Sequence, residues 1–278
     1  MSKKKIPYNS YVIIIGAMKS GTSFLYDYLV AHPEICACKI KEPEFFSQTP
    51  RSIKVDSYED LWEYNPELHK LVMEASTGYT KYPAQLGVPE RIFNYKINPK
   101  FVYVIRNPFD RILSHYNFLK IDPNFDLNQT LDNDRFVALS KYYLQLYQFL
   151  KYFTNKDKYL IVNFSELVNE PSSVIEKVLD FLDLDKTNYS IQDYTIKNQT
   201  PRMSKAEQFL FRSKLIQISQ LMPSNWKNKI KLYLRKQTPL SYKKSFSEEE
   251  FNTVYYKLYE DMLKLEAEFG IDISQWGF

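Results

Sequence analysis

Cysteine is scarce in this chain: its 278 residues include only Cys36 and Cys38, with three histidines, His32, His69 and His115. Two residues apart on an expected strand, the cysteines are read as pointing to opposite faces. They behave as small buried hydrophobes, and the spacing argues against a mutual disulfide or a zinc pair. No run approaches the ~20 apolar residues of a transmembrane helix. The opening MSKKKIPYNS passes straight into an apolar strand, so no separate signal peptide is expected and the default location is cytoplasmic. Charge of either sign is nearly balanced, with Lys+Arg 37 against Asp+Glu 33 and a net charge of +4. That excess suits a small anionic ligand and is too weak to argue for nucleic acid. Internal repeats and low-complexity tracts are absent. Aromatic residues are abundant, with 23 Tyr and 19 Phe, enough to fill a core and to line a cleft that stacks on a base or a sugar. The length allows one large α/β domain, or a domain with an appendage.

The stretch Tyr11 to Ser23, YVIIIGAMKSGTS, organises the rest. The β-branched run Val12 to Ile15 reads as a buried parallel strand that ends at Gly16. Gly16 and Gly21 bracket a tight turn, and Thr22 and Ser23 open a helix. A strand, a glycine-bracketed loop and a helix N-terminus form an anion site, because the first helical N–H groups have no partners inside the helix. Lys19 adds a full positive charge at the tip. A nucleotide P-loop has lysine directly after the second glycine; here the Gly16 to Gly21 spacing is right, but lysine precedes Gly21 by two residues. A strict triphosphate reading fails on that residue.

Strands and helices then alternate. The first helix should run from Thr22 to Ala31 and stop at His32-Pro33. Glu34 to Ala37 reads as a short strand, followed by the charged knot Lys39-Ile40-Lys41-Glu42-Pro43-Glu44 and the pair Phe45-Phe46. Leu71 to Ala75 is a third strand ending in Ser76-Thr77-Gly78-Tyr79, small polar residues at a carboxyl end where open α/β sheets bind ligands. Pro89 opens a helix. Phe101 to Ile105 is a further buried strand, which puts Arg106 at the same sheet edge, suited to a second anionic group through its planar fork. Ser114, two turns along the next helix, reaches that edge only if the helix folds back over it. A polar loop covers Ile121 to Asp134, and the stripe Tyr143, Leu146, Phe149 and Leu150 reads as core. Tyr159 to Val162 and Ser173 to Leu182 complete the alternation. Beyond Asp183 turn residues rise to about Glu207. Helices are then expected over Lys205 to Leu221, Trp226 to Leu234 and Ser247 to Phe269, the last with a Ser247/Glu250 capping box. Lys243 and Lys244 precede that helix. The pattern predicts a parallel doubly wound sheet with its site at the carboxyl edge.

GAMKSGTS, KEPEFF, EASTGYTKYP with VPERIF, and VYVIRNPFDRILSHY occur in this order. They resemble the PAPS-dependent sulfotransferases, nearest the branch of the heparan sulfate 3-O- and N-sulfotransferases and their bacterial relatives. The similarity covers Tyr11 to Leu184 well and Phe246 to Trp276 more loosely. It implies an α/β fold of the P-loop type, a three-layer sandwich with a central parallel sheet and a helical C-terminal part. The expected organisation is a single domain: residues 1–184 form the core with the cofactor site, and 185–278 form a helical lid or C-terminal extension.

The resemblance further implies that Lys19, Ser20, Gly21, Thr22 and Ser23 hold the 5′-phosphosulfate of PAPS, and that Arg106 and Ser114 hold its 3′-phosphate. Lys243 and Lys244 would add to the cofactor site. Glu42 falls at the position of the catalytic base, with Lys19 as its catalytic partner against the leaving phosphate. Lys39, Lys41, Glu44, Phe45, Ser76, Thr77 and Tyr79 would face the acceptor, a glycan or glycolipid first and a small molecule or polyketide second. The product would be 3′,5′-bisphosphoadenosine, and no metal is expected. The chain departs from these relatives at Glu44, where many have histidine, at Ala75, where the heparan enzymes have lysine, and in Ser-Tyr-Lys-Lys, which replaces a glycine-containing basic loop. The competing reading is a P-loop kinase or nucleotide-binding protein.

Overall fold

The computed structural model describes residues 5–48, 55–119, 131, 134–187 and 245–278. Five parallel strands form one sheet: β1 (Tyr11–Gly16), β2 (Ile35–Ala37), β3 (Leu71–Ala75), β4 (Lys100–Ile105) and β5 (Tyr159–Asn163). Their order is β2-β3-β1-β4-β5. Strands covered on both faces need apolar residues at consecutive positions, which is why YVIII and FVYVI show no polar alternation.

Alternate residues serve opposite layers. Tyr11, Ile13, Ile15, Phe101, Tyr103 and Ile105 pack into one core, whereas Val12, Ile14, Met73, Val102 and Val104 pack into the other. The second layer is closed by α1 (Thr22–Leu29) and, further along, by the amphipathic helix Pro171–Leu182. The first is closed by α2 (Val88–Asn94), α3 (Pro108–Leu119), α4 (Asp134–Ala138) and α5 (Tyr142–Leu150). Helix α6 (Phe164–Asn169) follows β5, α7 is Pro171–Leu182, and α8 is Glu248–Phe269.

From β1 the chain goes to the β2 edge, returns to β3, then crosses to the other side of β1 to make β4 and β5. The carboxyl end of β1 is therefore the topological switch point, where a crevice opens.

The expected strands are all present, and the α1 and α7 boundaries shift by two residues. Helix α1 ends at Leu29, because a turn continues to His32, whose ring is engaged by the Asp185 carbonyl and the Glu34 amide. Helix α7 starts at Pro171, a residue suited to the first helical turn. The capping box of α8 is formed: Glu250 N–H donates to Ser247 Oγ, and Ser247 N–H donates to Glu250 Oε2. Helix α8 packs Val254, Leu258, Met262 and Leu265 into the first core layer. Its buried Asp261 carboxylate accepts from Tyr143 N–H and Leu144 N–H at 3.0 and 2.8 Å, capping the start of α5 from a distant part of the chain.

The cysteine expectation needs correcting. Residues two apart on a strand share a face, and Cys36 and Cys38 both enter the first core layer, buried and unpaired. The helices expected over 205–221 and 226–234, most of 183–207, nearly all of the 121–134 loop, and Lys243 and Lys244 lie outside the described residues. Among the described residues no helix is long and apolar enough to cross a membrane.

Candidate active site

The carboxyl end of β1 is built by close approach. A Cβ on Gly16 would lie 2.0 Å from Thr80 Oγ1, and Thr80 donates to the Ile15 carbonyl at 2.8 Å. Ala17 N–H donates across to the Val104 carbonyl at 2.7 Å, which leads the loop over β4. Gly21, left-handed at φ 86°, caps α1, and a Cβ there would meet the Phe164 ring at 2.5 Å. Only glycine fits both positions. Between them Lys19 has a left-handed φ of 72°, a conformation that costs about 1 kcal/mol or more for a residue with a Cβ. Ser20 is fully buried, and its hydroxyl has no hydrogen-bond partner among the described residues. Thr22 and Ser23 begin α1, whose first turn leaves N–H groups open toward the loop.

The second cation comes from β4. Arg106 lies just beyond the strand, its backbone clamped by Tyr142, whose hydroxyl donates to the Arg106 carbonyl at 2.6 Å. Its guanidinium lies 5.0 Å over the Phe164 ring and 3.3 Å from Asp110, and its Nε is buried without a partner among the described residues. Helix α3 does fold back over the sheet edge: Lys19 Nζ sits 4.4 Å from the centre of the Phe118 ring, near the end of that helix. Ser114, one turn before Phe118, lies on the same face. Burial lowers the Lys19 pKa, and the nearby Arg106 charge lowers it further. Lys19, Ser20 and Arg106 thus lie at one sheet edge, with Ser114 on the face of α3 that carries Phe118, and the Arg106 charge disfavours that of Lys19.

Arg111 and His115 stand behind this edge, on the inner face of α3. Arg111 is fully buried, donates to Ser140 Oγ and the Phe136 carbonyl, and has no carboxylate partner among the described residues. His115 stacks on Phe136 at 4.4 Å, and burial first, then Arg111, pushes its pKa down to about 3, so it stays neutral.

On the β3 side the charged knot folds into a strapped loop. Glu42 is half-buried with φ 51°, and Glu44 has φ 54°. Of the five described non-glycine residues with positive φ, three (Lys19, Glu42 and Glu44) are at this sheet edge, where strain is held in place by the surrounding contacts. The Glu44 carboxylate turns inward: it accepts from Gly78 N–H at 2.7 Å and from Ser47 Oγ. A Cβ on Gly78 would lie 1.8 Å from Glu44 Oε2. Glu44 N–H donates to Ser76 Oγ at 2.9 Å, and Phe46 N–H donates to Tyr79 OH at 3.2 Å. Glu44, Ser76, Thr77 and Tyr79 are all buried, so they shape the loop from beneath. Lys39 and Lys41 are exposed, Lys39 reaching the Asp60 carbonyl and Glu63. Phe45 is half-buried against Phe46, Tyr58 and Tyr95.

Sequence reasoning missed Glu74. It is fully buried on β3 and receives Tyr58 OH at 2.6 Å, Tyr79 OH at 2.9 Å and Ser76 Oγ at 2.5 Å. Burial raises its pKa to about 7 against the pull of these three donors, and the Glu44 charge adds to the rise. The available signal was a carboxylate inside the otherwise apolar strand LVMEA, a residue type almost never buried without partners. Arg111 and Tyr142 were also missed, since their roles depend on which face of a helix meets the sheet edge.

A family model described as a sulfotransferase domain matches residues 9–265. The membrane-associated sulfotransferase kil1 of Dictyostelium discoideum is 35% identical over 108 residues, 38% of this chain and 22% of that protein. Human heparan sulfate glucosamine 3-O-sulfotransferase 6 is 26% identical over 186 residues, 62% of this chain and 52% of that protein. The chain thus spans about half the length of the heparan relative and a smaller part of kil1. The solved sulfotransferase from Alicyclobacillus acidocaldarius superposes with a TM-score of 0.68 at 20% identity, covering 98% of this chain and 99% of that one. At that identity the likeness speaks for the fold. The family model spans nearly the whole chain, the four motifs and most of the closing helix included, and on that ground the chain belongs to the sulfotransferase-domain family.

Proposed function

We propose that this chain transfers a sulfuryl group from PAPS to an acceptor hydroxyl by in-line displacement. The observation that carries the reading is the arrangement around β1: paired cations and open donors on the β4 side, and a strapped, strained loop bearing a carboxylate on the β3 side.

A ligand with two anionic groups fits the first side. The buried Ser20 Oγ and Arg106 Nε lack partners among the described residues, and Gly16 and Gly21 let Thr80 and the Phe164 ring pack directly against the loop that would carry the ligand. Lys19, Ser20, Gly21, Thr22 and Ser23 would hold the 5′-phosphosulfate, while Arg106 and Ser114 would hold the 3′-phosphate. PAPS supplies the sulfuryl group and a phosphate that gains negative charge as the S–O bond breaks. Lys19 and the first α1 amides meet that charge where it develops, with no reorganisation of solvent. Such transfers depend on positioning and charge stabilisation more than on covalent help from the protein.

Glu42 would take the proton of the acceptor hydroxyl. His115 is unsuited to that role: it is buried, faces Phe136 and resists protonation. The acceptor reading is a glycan or glycolipid, in keeping with a relative named for heparan sulfate glucosamine. Ala75 supplies no positive charge for a sulfated acidic chain, which favours a neutral sugar. Buried free thiols suit a reducing compartment such as the cytoplasm.

Calorimetric titration of 3′,5′-bisphosphoadenosine against ATP, with and without Mg²⁺, tests the cofactor. Tight metal-independent binding of the bisphosphate, weakened in Arg106→Ala, is the expected result. A preference for Mg·ATP would overturn it in favour of a kinase.

A further inference from the structure

We propose that Glu74 is a positioning residue that sets the Glu42 loop through two relayed hydroxyls, Ser76 and Tyr79. The inference rests on the sulfuryl-transfer reading only for what the loop does, not for how it is held. Glu74 points from β3 into the first core layer, and the groups around it are all hydroxyls, a thiol and another carboxylate. Tyr58 comes from the turn Tyr58–Leu61, Ser76 and Tyr79 from the turn after β3, Tyr26 from α1, Cys38 from the end of β2, and Glu44 from the loop. Among the described residues these neighbours include no lysine or arginine.

Direction matters in this network. Ser76 Oγ and Tyr79 OH each donate their single proton to Glu74 and, with it committed, offer their lone pairs outward. Those lone pairs receive Glu44 N–H and Phe46 N–H, the amides that fix the loop on either side of Phe45. Burial and Glu74 keep Tyr58 and Tyr79 protonated well beyond the usual tyrosine range, so both stay donors.

An ionised Glu74 accepts from all three hydroxyls with no proton of its own to place. A protonated carboxyl brings its own O–H, competes for a lone pair and leaves one hydroxyl proton unmatched. Glutamine does the same permanently through its amide N–H groups. The loop and the fold therefore respond to Glu74 with opposite signs: a buried charge costs the fold, yet that charge orders the loop.

The test is amide hydrogen exchange of the peptide spanning 40–47 in wild type and Glu74→Gln, corrected for intrinsic rates, from pH 5.5 to 8.5. Thermal melting and bisphosphoadenosine titration would accompany it. In wild type, protection of this peptide is expected to rise as pH passes through the neutral range. In Glu74→Gln the rise disappears, exchange at pH 8 is at least about tenfold faster, and the melting temperature is equal or higher. Tyr79→Phe and Ser76→Ala should each loosen the peptide less than Glu74→Gln, which covers the case of a poorly folded glutamine variant. Unchanged protection in all three variants, or loosening spread evenly over the chain, would overturn the proposal. The exchange readout needs neither cofactor nor acceptor. A failed bisphosphate titration with an intact pH effect would therefore sink the proposed reaction and leave the relay standing.

Discussion

The two flanks of β1 solve opposite problems. On the β4 flank, donors are left over: Ser20 Oγ and Arg106 Nε are buried without partners among the described residues, and burial, then the Arg106 charge, disfavours the charged form of Lys19. On the β3 flank the buried polar groups are matched to one another, and Glu74 alone collects three hydroxyls. Buried polar groups are normally satisfied, so a cluster of unmet donors marks a place where a ligand completes the structure. A satisfied cluster marks a place where the protein holds itself. In the function proposed above, one flank binds and the other positions.

The largest expected effect breaks the positioning flank at its tip. Glu42→Gln should lower turnover by roughly 10²–10⁴ with an acceptor in hand, since a positioned general base contributes on that scale. Affinity for 3′,5′-bisphosphoadenosine, read by calorimetry, should stay within about twofold. Equal loss of both would place Glu42 on the binding flank. On that flank, Arg106→Ala should weaken the bisphosphate by roughly 10²-fold, the scale of a charge-assisted bidentate contact worth about 3 kcal/mol. The melting temperature of the ligand-free protein should hardly move.

The flanks also separate by pH. Glu74 has a folded pKa of about 7 against an ordinary 4.5. Its contribution to stability is therefore fully present below the unfolded value and is lost as pH rises through about 7. The scale is about 3 kcal/mol, since each tenfold change in proton affinity between folded and unfolded chain is worth about 1.4 kcal/mol. Asp261, raised to about 6 by burial, acts in the same direction over a lower window. Denaturant unfolding of wild type and Glu74→Gln between pH 4.5 and 8 should converge at the acid end and diverge above neutrality. Parallel curves would mean that Glu74 titrates as an ordinary carboxylate.

The smallest effect is Tyr142→Phe. Losing the 2.6 Å bond to the Arg106 carbonyl should cost about 1 kcal/mol and weaken the bisphosphate roughly fivefold. No change in affinity would show that Arg106 needs no backbone clamp.

Much of the binding flank was legible in the sequence. A β-branched run, two glycines at a fixed spacing and an arginine at a strand end are local signals, each set by backbone sterics or by a strand's need for cover on both faces. The positioning flank was not. Glu44 and Glu74 are 30 residues apart, and whether a carboxylate in KEPEFF faces solvent or Gly78 depends on the loop's two left-handed residues, which no propensity of glutamate announces. Asp261 likewise caps a helix more than 110 residues upstream of it.

By itself, the sequence determined the strands, their buried character and the loop that ends β1. These follow from residue size, branching and the φ values that only glycine adopts at low cost. Only the tertiary structure decided which polar groups would be matched and which left open. Hydrogen-bond partners and desolvation are properties of where chain segments meet, and the meeting of α3, β4 and the Glu42 loop around β1 is a matter of topology.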